Sequence, residues 1–169
     1  MKKYLEIGKI QNTHGIAGDM TVYCLCDSPD VFVGIDKVFL KEKNEYREYK
    51  MNKKSVFKPN VLLVHLVGID SREFAATFKE KFIFADRADL PALNAGSYYI
   101  ADLLGLSVID AKSGRIYGKI TDVINNGASD IYEITSSDNR EFLFPAVGEF
   151  IDRVDLNEGV YVNPIEGMF

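Results

Sequence analysis

Hydrophobic and polar residues alternate in short runs along most of this chain. In the first run Leu5 and Ile7 flank Glu6, and the run from Met20 to Cys26 alternates in the same way. Because successive side chains of a strand point to opposite faces of a sheet, this pattern is typical of half-buried β-strands. Further strand-like runs follow over residues 38–40, 46–51, 55–57, 61–67, 81–84, 106–110, 116–124, 131–135, 141–144 and 160–162. Many short strands separated by turns predict an all-β chain folded into two small β-barrels.

Only two stretches carry clear helix signals. Ser28 followed by Pro29 is typical of a helix start with Ser28 as the N-cap, and Gly34 keeps that helix short. Farther along, Asp70 is placed to cap a second helix, with Glu73 three residues later to close a capping box. The chain is therefore expected to be mainly β, with one or two short helices.

A domain boundary is indicated shortly before residue 98. The stretch 87–95 contains Pro91 and has neither a strand nor a helix pattern, as expected of a linker. We predict a first barrel over residues 1–90, a linker over 91–97 and a second barrel over 98–169.

The two halves of the chain differ in charge. Residues 1–97 carry 15 basic and 13 acidic side chains, whereas residues 98–169 carry 5 and 12, a net charge of −7. An acidic half suggests a basic partner, commonly a protein. Residues 36–58 are basic, but interspersed glutamates favour a solvated hairpin there. The stretch Tyr46–Lys50 contains Glu48 and is a weak signal for single-stranded nucleic-acid binding.

Membrane and metal-binding classes find little support in the sequence. No apolar run approaches the roughly 20 residues of a membrane-spanning helix, and the first residues reach a charge before a signal core can form, so a cytoplasmic protein is expected. The two cysteines, Cys24 and Cys26, are too few for a disulfide framework. A zinc site would need two more ligands, and only His14 and His65 are available, so no metal is expected.

Catalytic motifs are also missing from the sequence, which has no G-x-S-x-G, phosphate-binding loop or G-x-G-x-x-G. His14 is the best general-base candidate by residue type, but no nucleophile stands beside it, and a turn-fixing role is favoured. His65 lies in an apolar run and is interpreted as a core histidine with satisfied hydrogen bonds or as a half-buried one. We therefore expect a binding protein with no catalytic residues and no cofactor.

Tyr98 and Tyr99 form a conspicuous pair after a turn glycine. If the segment is extended, one ring packs inward and the other is presented outward. An outward tyrosine offers a large contact area with few rotatable bonds, so it can anchor a partner, pack one domain onto the next, or do both. Asp102 and Asp130 are placed in loops that flank strands, where they either stabilise turns or pair with each other.

A series of short motifs runs in order over nearly the whole chain and resembles the bacterial ribosome maturation factor RimM family. The motifs are Gly8-Lys9-Ile10, Thr13-His14-Gly15-Ile16 with Gly18-Asp19, Tyr98-Tyr99 with Asp102-Leu103-Leu104-Gly105-Leu106, Gly118-Lys119-Ile120, Gly127-Ala128-Ser129-Asp130, Pro145-Ala146, Val154-Asp155 and Pro164-Ile165-Glu166-Gly167-Met168. Departures are mild: Asp19 stands where the family usually has glutamate, and Phe144 and Met168 stand where isoleucine and leucine are common.

The resemblance implies a first barrel similar to those of translation factors and a second barrel of the PRC type. It implies a non-enzymatic assembly factor for the small (30S) ribosomal subunit. Such a factor binds a ribosomal protein of the subunit head (small-subunit protein nineteen), promotes head maturation and rRNA processing, and also contacts rRNA. The implied partner-binding residues are Tyr98, Tyr99, Asp102 and Asp130, and the implied ribosome-contacting loop contains Thr13, His14, Gly15 and Asp19.

Two other functions stay open at this point. One is an rRNA-modifying enzyme that uses the His14 loop, against which the missing cofactor fingerprint argues. The other is a general RNA-binding β-barrel protein without a protein partner, which predicts tight and salt-sensitive RNA binding by the first barrel.

Overall fold

A computed structural model of the chain describes residues 2–26, 29–93, 96–125 and 128–169, except for the side chains of residues 53 and 125. The chain divides into two compact units, Lys2–Asn94 and Ala95–Phe169. Strands dominate both units, which confirms the prediction of a mainly β protein.

The first unit is a closed barrel of six antiparallel strands. The strands are β1 (Tyr4–His14), β2 (Asp19–Cys24), β3 (Lys37–Glu42), β4 (Glu45–Lys58), β5 (Val61–Leu66) and β6 (Phe82–Asp86). Around the barrel they follow the order β1-β2-β5-β4-β3-β6, so β6 closes the barrel against both β1 and β3.

The interior of this barrel is built by the alternation seen in the sequence. Ile10, Val22 and Leu62 are Cα partners across three neighbouring strands and are almost fully buried. The residues next to them on each strand point outward. This separation of faces explains why short alternating runs fold as a barrel with one apolar core.

Two short α-helices accompany the barrel, α1 (Asp30–Val33) and α2 (Arg72–Ala76). The N-cap of α1 is Pro29, and the predicted cap Ser28 lies outside the described residues. For α2 the predicted cap is wrong by one residue. Ser71 caps this helix, and its Oγ accepts a hydrogen bond from the Phe74 backbone N–H at 3.1 Å. Glu73 therefore does not occupy the third position of a capping box, and the Asp70 carboxylate instead faces His65.

The second unit contains a six-stranded sheet in the order β10-β9-β8-β7-β12-β11. Its strands are β7 (Ser107–Asp110), β8 (Ile116–Asn125), β9 (Asp130–Thr135), β10 (Glu141–Pro145), β11 (Ile151–Asp155) and β12 (Gly159–Val162). Neighbouring strands are antiparallel, except that β12 runs parallel to β7.

A third short helix, α3 (Ile100–Leu103), precedes this sheet and has no counterpart among the predicted elements. Four residues are too few to show the 3.6-residue period of a helix in the sequence. Leu103 is buried in the core of the second unit, together with Val108, Ile134 and Phe144. The helix therefore anchors the chain that follows the tyrosine pair onto this core.

Candidate functional site

The two adjacent tyrosines differ in burial. Tyr99 is 8% exposed, has extended backbone geometry (φ −71°, ψ 134°) and forms the N-cap position of α3. Its carbonyl oxygen accepts a hydrogen bond of 2.9 Å from the Asp102 backbone N–H. Tyr98 is half-buried and packs against the core of the second unit. Of the two rings, Tyr98 has more surface available to another molecule.

The two aspartates of the predicted site lie in regular structure. Asp102 is a half-buried residue inside α3, and Asp130 is the first residue of β9. The expectation that both lie in loops is therefore wrong. The reason is that α3 and the start of β9 are stabilised by backbone hydrogen bonds, such as the one of 2.8 Å from the Ala146 N–H to the Asp130 carbonyl oxygen.

The predicted loop over residues 13–19 is a tight connection between β1 and β2. Thr13 and His14 belong to β1, and Asp19 begins β2 and is the Cα partner of His14. Gly15 and Gly18 have positive φ values of 69° and 92°. Glycine adopts backbone geometry of this kind without the steric cost that a Cβ brings, which explains the two glycines in this turn.

His14 and His65 have different surroundings. The exposed ring of His14 meets the ring of Phe57 edge-on, with centroids 5.2 Å apart. The His65 side chain is 13% exposed, and its Nδ1 and Nε2 lie 2.9 Å from Asp19 Oδ1 and 3.2 Å from Asp70 Oδ1. His65, rather than His14, is thus the histidine that links this turn to the segment before α2.

Sequence reasoning does not place His65 in the site. The signal that points to it is its position in β5, where it shares the outer face of the barrel with Val61 and Leu63. A polar ring at an outward position beside a loop that carries Asp19 can bind that carboxylate. The strand register that brings them together is a tertiary feature.

Within the described ranges, no group of three or more histidine, cysteine, aspartate or glutamate side chains is arranged to hold a metal ion. Cys24 is buried, and its Sγ accepts a hydrogen bond of 3.4 Å from the Cys26 backbone N–H. Along the same ranges, no helix is both long and apolar enough to cross a bilayer. The described residues of the site offer aromatic rings, carboxylates and a histidine for contact with another molecule.

A concave surface on the second unit lies beside an exposed isoleucine. It has a volume of about 470 Å³ and is lined by Ile116, Tyr117, Gly118, Lys119, Thr121 and Thr135–Ser137. The Ile116 side chain is exposed although it is large and apolar.

Comparisons with known proteins cover both units. The family model for the RimM N-terminal domain matches residues 5–90, and that for the PRC-barrel domain matches residues 95–168. The ribosome maturation factor RimM of Clostridium botulinum strain Hall is 36% identical over 168 residues, which cover 98% of this chain and 97% of the relative. The protein of the same name from Alkaliphilus oremlandii is 34% identical over 169 residues, covering 99% of each chain.

A crystal structure of RimM from Pseudomonas aeruginosa is also similar. It shares 32% sequence identity over 96% of this chain and 98% of the other, with a TM-score of 0.47. The family assignment depends on the sequence matches, which run through both units at more than 30% identity. The chain belongs to the RimM family of ribosome maturation factors.

Proposed function

We propose that this chain acts in ribosome biogenesis as a non-enzymatic assembly factor for the small ribosomal subunit. It works in the cytoplasm, where it binds a ribosomal protein of the subunit head and promotes head maturation and rRNA processing. The observation that carries the proposal is the full-length match to relatives named ribosome maturation factors. The half-exposed tyrosine at the start of an acidic unit gives this role a physical basis.

The head protein, small-subunit protein nineteen, binds to the second domain, residues 98–169. Tyr98 is the aromatic anchor of this contact, because its ring is accessible and is held by packing on the core. Tyr99 contributes to this contact indirectly, since it is buried and precedes α3. Asp102 and Asp130 belong to the acidic side of the same interface.

The net charge of −7 on residues 98–169 steers the basic partner toward this domain. Exposed charges are screened beyond about 8–10 Å at ordinary ionic strength. We therefore expect the association rate of the complex to fall as salt is added, with a smaller effect on dissociation.

The first domain, residues 1–90, faces rRNA and is joined to the second by the linker 91–97. The loop that contains Thr13, His14, Gly15 and Asp19 contributes to the ribosome contact. Some of the positive charge within residues 36–58 is paired with carboxylates, as in Lys37 with Glu48 at 3.6 Å and Arg47 with Glu42 at 3.7 Å. The glutamates interspersed in this segment lower its net positive charge and so reduce its electrostatic contribution.

The test is gradient sedimentation of a tagged copy from cell lysate, compared with the positions of free small subunits and whole ribosomes. We expect wild type to be enriched on free small subunits and Tyr98→Ala to lose most of that enrichment. Tyr98→Phe keeps the ring and should remain bound. Tyr161→Ala, at a half-buried tyrosine of the same unit, is the matched control and should behave as wild type.

A Tyr98→Ala protein that folds normally and sediments with small subunits as wild type does would contradict the anchor role. A wild-type protein that stays at the top of the gradient at low salt would contradict the assembly-factor proposal itself. Direct titration with the purified head protein then distinguishes the assembly-factor function from the alternative of a general RNA-binding protein. An RNA-binding protein without a protein partner would show no binding in that titration.

A further inference from the structure

The strand register of the barrel places five residues in one row across its outer surface. Phe82 on β6 is the Cα partner of Lys9 on β1, and Lys9 is the partner of Tyr23 on β2. Tyr23 in turn pairs with Val61 on β5, and Val61 with Lys58 on β4. Because directly paired residues point to the same face of a sheet, all five side chains share one side.

This side is the outside of the barrel. Tyr23 is 40% exposed and Phe82 is 39% exposed, although both are large aromatic residues. Their neighbours along the strands, Val22 and Ile83, are fully buried inside. We call the five residues Phe82, Lys9, Tyr23, Val61 and Lys58 the aromatic–basic row.

Cations lie next to aromatic rings in and beside this row. The Lys9 Nζ is 5.6 Å from the centroid of the Phe82 ring, and the Lys58 Nζ is 5.4 Å from that of Phe57. The Lys9 ammonium also forms an ion pair of 2.9 Å with Glu80, whose side chain is 64% exposed. An exposed pair of this kind is weak, so a phosphate can replace the carboxylate as the partner of Lys9.

We propose that the aromatic–basic row binds single-stranded RNA, with unpaired bases stacking on Tyr23 and Phe82 and phosphates held by Lys9 and Lys58. This inference rests on the proposed function, because that function identifies rRNA as the source of the single strand. Accessible aromatic faces interleaved with cations are the elements with which proteins hold unpaired strands. The two rings are separated by one intervening strand and so lie about 10 Å apart, which lets each of them accept a different base.

The combination of two lysines with exposed rings favours RNA over a protein segment as the occupant, because an unpaired strand supplies both phosphates and bases. The row contributes two lysines and no carboxylate, and the Glu80 carboxylate beside it is ion-paired with Lys9. The linear sequence conceals the arrangement, because its members come from five strands. The stretch Tyr46–Lys50, which is closest to a nucleic-acid platform in the sequence, lies in the part of β4 that pairs with β3 and not in this row.

The test uses the full-length protein and a labelled single-stranded oligouridine, with binding followed by fluorescence anisotropy over a series of salt concentrations. Tyr23→Ala and Phe82→Ala should each weaken binding by about fivefold to 100-fold, the usual effect of removing one stacking ring. Lys9→Gln should reduce the slope of log affinity against log salt by about 0.7, as expected for one lost phosphate contact on a single strand. Lys112→Gln removes an exposed lysine of the second unit and should leave the slope unchanged.

Three results would overturn the inference: no binding of the oligouridine by wild type, wild-type affinity in both aromatic variants, or equal affinity for a base-paired duplex of the same length. Preferential binding of an acidic peptide would overturn it as well. Unchanged far-UV circular dichroism and an unchanged unfolding midpoint show that each variant is folded.

Failure of the row and failure of the proposed function give different results. If only the row inference is wrong, Tyr23→Ala binds oligouridine as wild type does, while Tyr98→Ala still loses small subunits. If only the head-protein contact is wrong, oligouridine binding keeps its dependence on the row, while Tyr98→Ala sediments as wild type.

Discussion

Gly18 shows how a single residue is determined by a contact far away in the sequence. Its φ is 92°, and a Cβ at this position would lie 1.9 Å from the carbonyl oxygen of Ile69. Gly15, in the same turn, has a φ of 69°, but a Cβ there would meet no atom within 4 Å. A side chain at either position would therefore be strained by the positive φ. Of these two glycines, only Gly18 also lies too close to another backbone segment to leave room for a Cβ.

We expect Gly15→Ala to lower the free energy of unfolding by about 1–2 kcal/mol, because a side chain in left-handed backbone geometry is strained. Gly18→Ala should cost at least about 2 kcal/mol more, since the Ile69 carbonyl must move as well. Urea denaturation of the two variants measures the difference. Equal losses of unfolding free energy in the two variants would show that the Ile69 carbonyl can move away from a Cβ at position 18 without cost.

The turn between β7 and β8 is stabilised by one carboxylate. Asp110 Oδ1 accepts hydrogen bonds from the backbone N–H groups of Ser113 at 2.8 Å and Lys112 at 2.9 Å. Its Oδ2 accepts a third from the Tyr117 hydroxyl at 2.7 Å. The hydrogen bond from the Ser113 amide, followed by that from the Tyr117 hydroxyl, lowers the pKa of Asp110 from its ordinary value of 3.8 to about 2. Burial, followed by the hydrogen bond to Asp110, raises the pKa of Tyr117.

A carboxyl whose pKa is lower in the folded state stabilises the fold above its unfolded pKa, and that contribution is lost as pH falls through the folded value. Asp110→Asn should therefore unfold at lower urea than wild type at neutral pH. The difference between the urea midpoints of wild type and variant should narrow as pH falls from 3.8 toward about 2. Tyr117→Phe removes one donor and should give a smaller difference with the same pH dependence. A difference that stays constant over this pH range would contradict the assignment.

Each unit of the whole molecule has a core of its own. Phe32 is fully buried among the residues of the first core, and Phe144 is fully buried in the second. Apolar burial is a local driving force, so a cavity in one core weakens mainly the strands that surround it.

Phe32→Ala and Phe144→Ala should each destabilise their own unit by about 3–5 kcal/mol. Peptide-resolved hydrogen exchange checks this expectation. Phe144→Ala should speed exchange in the strands between residues 107 and 162, and Phe32→Ala in those between residues 4 and 86. If either substitution speeds exchange equally in both units, the two cores do not unfold independently.

The sequence alone supports the all-β class, since the two-residue period of burial is a local property of each strand. The run from Met20 to Cys24 shows this, because its inward residues Met20, Val22 and Cys24 are all buried. The family motifs are readable for a similar reason, as each occupies a few consecutive residues.

Features that depend on which strands become neighbours cannot be predicted from local sequence patterns. The local pattern favours Asp70 as the cap of α2, but the strand register turns its carboxylate toward His65 and leaves the cap to Ser71. The helix α3 escapes prediction because Leu103 and its neighbours are helical through packing on the core rather than through a repeated pattern.

By itself, the sequence determined that this protein is a mainly β chain of the RimM family with an acidic second half. Only the tertiary structure decided that Tyr98 is the more accessible of the two tyrosines and that Lys9, Tyr23 and Phe82 form a row on the outside of the barrel. The physical reason is that alternation sets which side of a strand is buried, whereas strand order and register set which residues meet.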